Sequence, residues 1–311
     1  MLFIVACGQT PMKDDGAATQ NEEVSVANED VGESLTPDQS VYPMTIVDSL
    51  GREVTIEKEP THIISVAPNI TETIFALGLG DRLIGRTDYC SYPEEASIVQ
   101  SVGLLTDPNL EVIANLEPDL IVASTHFKQD VLDNLESLGY TVVVLYGESS
   151  FEGVYDTIDA LGKILNAQEK SLAIQTAMQA KVADVIEKVK DTEKPSVYYV
   201  VAYGESGDYT ATGETFIAQI IEMAGGDNVA KDGSGWRFSH EKLVERDPEM
   251  IICSEAQEGK AGIMSSENYQ LLTAVKEGRV FEIDNNLLDR QGPRLADGLE
   301  AVAKILHPEA F

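Results

Sequence analysis

Apolar residues along this chain follow two alternating rhythms. Continuous hydrophobic runs at 54–56, 63–66, 83–85, 120–123 and 142–145, and again at 197–201, 250–253 and 280–283, are short and rich in Val and Ile. They read as strands. Between them, segments 71–77, 109–116, 131–138, 216–224 and 241–246 space their apolar positions at the helical period. Strand alternating with helix predicts parallel sheets faced by helices, an α/β fold. One stretch breaks the alternation. From 163 to 194 there is neither Gly nor Pro, and Ile174, Met178, Val182, Val185 and Val189 recur every three or four positions. This predicts one amphipathic helix, about 37 Å long if some 25 residues are helical.

The pattern also repeats. "NLEPDLIVAS" at 115–124 is echoed by "ERDPEMIICS" at 245–254, each a helix end, a Pro-acid turn and a buried strand closing on Ser. Pro118 and Pro248 stop their helices, because proline biases the preceding residue away from the helical region. Asp119 and Glu249 fall in the turn. Upstream, "NITETIFALGLGDRLIG" parallels "ETFIAQIIEMAGGDNVA", each a helix closing on a glycine suited to a left-handed cap. Two Rossmann-like lobes with mainly parallel sheets, joined by one long α-helix, are therefore expected.

Composition narrows the function classes. A formal charge of −31 at pH 7 repels phosphate backbones and anionic headgroups, so nucleic acid is excluded as a partner. "MLFIVACG" holds a short apolar run ending at Cys7, and Ile4-Val5-Ala6-Cys7 resembles a bacterial lipobox, in which the cysteine is acylated; most of a signal sequence would then be missing ahead of it. Residues 8–41 are Gly, Ser, Thr, Gln, Asn and acid with few large apolar residues, the composition of a tether. The expected division is thus 1–7 truncated lipoprotein signal, 8–41 tether, 42–162 N-terminal lobe, 163–194 connecting helix and 195–311 C-terminal lobe. Cys90 and Cys253 fall in different halves and are expected as small buried hydrophobes.

"HIISVAPNITETIFALGLGDRLIGRTDYCSYPEEA", "GLLTDPNLEVIANLEPDLIVAS", "TATGETFIAQIIEMAGGDNVA" and "DRQGPRLADGLEAVAKIL", in this order and spacing, resemble the substrate-binding proteins of ABC importers for vitamin B12, ferric siderophores or haem. The resemblance covers nearly all of 42–311. It implies two lobes closing on a ligand in the crevice between them. It also implies a solute carrier anchored by lipid on the extracytoplasmic face of the cell membrane, monomeric, with no intrinsic cofactor, carrying an iron or cobalt chelate to a permease and its ATPase. By position it places permease-docking acids at Glu72 and Glu222.

Loops after strands supply the lining of such a crevice. They point to Tyr89, His126, Phe127, Tyr203, Tyr209, Trp236, Arg237 and Arg290 as ligand-binding residues: aromatic rings offer flat apolar area, and arginines pair bidentately with carboxylates. Tyr89 matches a pocket aromatic of the B12-binding relatives. Their tryptophan-containing loop aligns with 104–107, where this chain has no aromatic. His126 and His240 are candidate axial ligands to a chelated metal. Two other classes stay open, an α/β enzyme or a surface interaction module acting on a macrocyclic or chelate ligand. Against an enzyme stand the missing G-x-S-x-G and P-loop signatures.

Overall fold

The computed structural model describes residues 41–203, 208–256 and 259–311; Cys7 and nearly all of the expected tether lie outside them. Residues 40–311 form one compact unit. It opens with an antiparallel hairpin, β1 (Met44–Val47) and β2 (Glu53–Ile56), followed by β3 (Ile63–Ser65), α1 (Pro68–Ala76) and β4 (Leu83–Arg86). A small ladder of β5 (Gly103–Leu104) and β6 (Asp107–Pro108) leads into α2 (Leu110–Leu116), β7 (Leu120–Ala123), α3 (Gln129–Ser137) and β8 (Val142–Val144). The first sheet runs β4-β3-β7-β8, parallel throughout. Its side chains alternate as the two-residue period demands: Ile63, Leu120, Val122 and Val143 pack under α1, while Ile64, Ile121, Val142 and Val144 pack over α2 and α3.

Two helices follow, α4 (Phe151–Ile164) and α5 (Gln168–Val189). Residues 163–194 therefore do not form a single helix from end to end. The chain turns at 165–167, where Asn166 adopts a left-handed φ of 55°, and the helix beyond it holds 22 residues, about 33 Å at 1.5 Å per residue. The α4 helix shares the bridging role: Leu161 and Ile164 join the first lobe's core, whereas Phe151, Val154 and Ile158 join the second's. Phe151 meets Phe216 edge-on at 5.6 Å between ring centroids.

The second lobe contains β9 (Ser196–Ala202), β10 (Tyr209–Thr210), α6 (Phe216–Met223), β11 (Asp227–Asn228), α7 (His240–Arg246), β12 (Met250–Ser254), α8 (Gly259–Ser265), α9 (Thr273–Lys276), β13 (Val280–Ile283), α10 (Asn286–Asp289) and α11 (Leu295–Leu306). Strands β9, β12 and β13 are parallel neighbours, with β10 antiparallel on the far side of β9 and β11 also paired to β9. The echoed sequences fold alike. Both α2 and α7 end on a left-handed residue, Glu117 (φ 49°) and Asp247 (φ 40°), just before the proline. The acid after each proline ties down a neighbouring strand. Asp119 accepts the backbone N–H of His62 at 3.0 Å, and Glu249 accepts that of Ser196 at 2.8 Å. Each carboxylate thus holds the start of the strand next to its own. Gly78 and Gly225 take positive φ after α1 and α6, and the next residues donate back to Ile74 and Ile221 at 3.1 and 2.9 Å, closing Schellman caps.

The N-terminal hairpin is fastened to the sheet edge that leads to the cavity. Asp48, its side chain fully enclosed, pairs with Arg52 and accepts the N–H of Val144 at 3.2 Å; Ser49 bonds Tyr146 in both directions, at 2.7 and 2.8 Å. Burial alone would raise the Asp48 pKa, but hydrogen bonds from the Arg52 side chain and from the Arg52 and Val144 amides outweigh it and hold the carboxyl below its usual value. A depressed folded pKa stabilises above the ordinary carboxylate range, and that stability is lost as pH falls through the folded value. Asp48→Asn is expected to lower stability at pH 7 by about 1–3 kcal/mol and to flatten the loss between neutral and acid pH, both read from urea titrations across that range.

Candidate functional site

A cavity of about 780 Å³ lies where the carboxyl ends of the two sheets face each other. Its walls follow the strand-end rule for α/β folds. Ala67 and Asn69 follow β3, Ser124 to His126 follow β7, and Tyr146 follows β8; from the second lobe come Glu214 to Ile217 at the start of α6, and Asn286 and Leu288 to Gln291 after β13. The lining is mainly apolar and aromatic, interspersed with hydroxyl and amide groups, the mixture expected of a site for a small organic molecule.

Of the residues expected there, four line it: Tyr89, His126, Trp236 and Arg290. Tyr89 is 55% exposed and Trp236 40%, so both present ring surface a ligand can cover. His126 and Trp236 hold left-handed φ values of 66° and 62°, a conformation uncommon for bulky residues and characteristic of functional loops. Trp236 is fixed by donating its N–H to Thr212 Oγ1 at 3.2 Å and accepting the N–H of Thr210 at 2.9 Å.

The other expected residues sit elsewhere. Phe127 is half-buried against the first lobe's core and lines a smaller adjoining pocket of about 260 Å³. Tyr203 packs edge-on against Tyr269 at 6.3 Å. Tyr209 and Arg237 engage each other, the guanidinium 5.3 Å from the ring centroid and donating to the phenol oxygen at 3.1 Å. His240 opens α7 beside Tyr269, outside the cavity. As an axial-ligand candidate, only His126 therefore has access, and no group of three metal-ligating side chains converges among the described residues.

Glu72 is a correction of a different kind. A docking acid needs an exposed carboxylate, but this one is 2% exposed and accepts Arg290 Nη1 at 2.8 Å, Arg294 Nε at 2.9 Å and Arg294 Nη2 at 2.8 Å. Arg290 also donates to the Tyr89 carbonyl at 3.1 Å and Ser91 Oγ at 2.9 Å, and Arg294 lies 3.8 Å from the centroid of the Tyr92 ring. The group is a latch between α1 of the first lobe and the segment following β13 in the second. Glu222, its expected counterpart, is exposed but lies in the last turn of α6 rather than near its start.

Several lining residues escaped the sequence reading. Leu105 and Thr106 come from the loop between β5 and β6. Tyr146, Glu214 and Asn286 lie just beyond strands or at a helix start, where the strand-end rule would have found them, and Asp289 closes α10. Backbone N–H groups hold the Glu214 carboxyl below the usual carboxylate range, chiefly its own and then Gly235, which donates at 2.6 Å, with some opposition from desolvation. Burial raises the Asp289 pKa, partly opposed by the Asn285 amide and by Arg290.

The family model for periplasmic binding proteins matches residues 63–287. The chain belongs to this family. This periplasmic binding protein is 31% identical, across all of its own length and 95% of the relative's, to YvrC, an ABC transporter substrate-binding lipoprotein of Bacillus subtilis. It is 28% identical to the cobalamin-binding protein of Halobacterium salinarum strain R1, over 86% of this chain and 74% of that one. In fold it matches the periplasmic haem-binding protein RhuT of Roseiflexus with a TM-score of 0.73, at 21% identity, covering 80% of this chain and 99% of that one. No described helix of this periplasmic binding protein is long and apolar enough to cross a membrane.

Proposed function

We propose that this periplasmic binding protein is the extracytoplasmic solute-binding component of an ABC importer for a metal chelate, of the cobalamin, haem or ferric siderophore type. The observation that carries this reading is the cavity itself. Its volume of about 780 Å³ falls in the range of sites that enclose a sizeable organic ligand, and both lobes contribute walls. Aromatic surface at Tyr89, Tyr146 and Trp236 suits the flat face of a macrocycle. The ligand is held, not transformed, and is released to a permease driven by a separate ATPase. Acylation at Cys7 would keep the monomeric carrier at the membrane, its folded body on the leash that follows.

Docking on the permease falls to Glu111 and Glu241. They occupy the same place in the two echoed repeats, the second residue of α2 and of α7, behind the capping side chains of Asn109 and Ser239. Both are exposed. A helix that leads into a parallel strand starts at the sheet's carboxyl edge, so both acids stand on the cavity side of their lobes. Each follows a lining residue, Thr106 or Trp236, by five positions. Two matched acids beside one cleft let a two-fold permease read both lobes at once.

Trp236 is the one tryptophan of the chain, and it lines the cavity. Titration with cyanocobalamin or haemin dimethyl ester is expected to quench its fluorescence with one-to-one stoichiometry. Trp236→Phe is expected to remove the signal, while the shift in the ligand's visible spectrum persists. Failure of both chelates and of ferric siderophores to bind, or conversion of any of them to product, would count against a carrier and for an enzyme or interaction module.

A further inference from the structure

The charge of the cavity wall is one-sided. Its acids are Glu214 and Asp289, and its one Lys or Arg side chain among the described residues is Arg290. That guanidinium is already committed to Glu72, the Tyr89 carbonyl and Ser91. Arg294, which shares Glu72, has a second acid in Asp284 at 3.8 Å. Two arginines and two acids therefore balance within the latch. Neither cavity acid has a comparable partner, since neither Glu214 nor Asp289 forms an ion pair among the described residues. Glu214 is satisfied by the neutral N–H of Gly235, and Asp289 by the amide of Asn285, with Arg290 acting on it only at longer range. Apart from the imidazole of His126, the remaining polar wall consists of hydroxyl and amide groups, including Asn69, Thr106, Ser124, Ser149, Asn286 and Gln291.

We propose that the cleft selects its ligand by charge: it accepts chelates with a neutral, carboxamide- or hydroxyl-bearing rim or a net positive charge, and rejects those rimmed by carboxylates or catecholates. Glu214 and Asp289 are the specificity-determining residues, and Glu72 keeps Arg290 from serving as an anion receptor. The inference rests on reading the cavity as a chelate site. A ligand carboxylate about 7 Å from either acid, at an effective dielectric near 20, meets repulsion sufficient for a roughly ten- to fiftyfold loss of affinity. Neutral amides on the same rim instead find hydroxyl and amide partners.

Ligand pairs that differ in charge but little in shape isolate the effect. Cyanocobalamin is compared with its monocarboxylate, in which one side-chain amide has become an acid, and haemin dimethyl ester with haemin. All four are titrated into the full chain at low salt and again in 0.5 M salt, about the range over which surface charge is screened out. The uncharged-rim member of each pair that binds is expected to bind at least tenfold tighter. That ratio should shrink in salt and in the Glu214→Gln, Asp289→Asn double variant. Equal or tighter binding of the carboxylate members, or a ratio unmoved by the double variant, would overturn charge selection and leave the chelate-carrier reading standing. Binding of none of the four, nor of a cationic ferric trihydroxamate, would overturn both.

Discussion

Glu72→Ala is expected to destabilise the folded body by about 3–5 kcal/mol, the usual consequence of removing one partner from a buried charge pair. The side chains of Arg290 and Arg294 are only 11% and 17% exposed. Without the carboxylate, two guanidinium groups would face each other with little access to water, and three hydrogen bonds would be lost together. Glu72→Gln keeps the shape and some of the hydrogen bonding, so it should fall between alanine and the natural protein. Denaturant unfolding of the three proteins measures the order directly. A change below about 1 kcal/mol for alanine would mean that the latch behaves as a solvated surface bridge. Because the latch joins the two lobes, small-angle scattering should also show a more open particle in Glu72→Ala than in the natural protein.

The second large effect is expected from Glu111→Lys combined with Glu241→Lys. Truncating one partner of a desolvated interfacial charge pair costs about 2–5 kcal/mol, and reversal at two such pairs should weaken docking by a factor of roughly 10³ or more. Uptake in reconstituted vesicles should be lost, while chelate affinity stays within about twofold, since neither residue lines the cavity. Each single reversal should give a partial loss. Glu222→Lys, exposed but without a matched partner in the first lobe, should transport normally. Full transport by the double variant would remove the docking assignment, and a matching loss of chelate affinity would point to a damaged cleft instead.

The fate of Glu72 shows how far a one-dimensional pattern reaches. In "NITETIF" it reads as a polar residue of an amphipathic helix, and the helix is there. The residues that cover it lie 218 and 222 positions away, and nothing local to α1 announces them. Tyr209 and Arg237 mislead in the same manner: both read as loop residues beyond strands, yet Tyr209 opens β10 and the two engage each other beside the cavity instead of lining it. By contrast, the repeats carried enough local chemistry to be read correctly as structure. A capping Asn or Ser, a left-handed residue before proline and a strand-binding acid act within a few residues or on an adjacent strand, so two copies of the sequence fold into two copies of the motif.

What the sequence determined by itself was the set of elements and their class. Period-two and period-3.6 hydrophobicity, helix caps and the Gly- and Pro-free stretch are short-range properties, and they dictated two parallel-sheet lobes with long helical packing between them. Tertiary structure decided which loop ends converge at the cavity, and that Arg290 is spoken for by a carboxylate of the opposite lobe. Those outcomes depend on contacts between residues hundreds of positions apart, whose free energy is set by shared burial and charge pairing and leaves no mark on the neighbours of either residue.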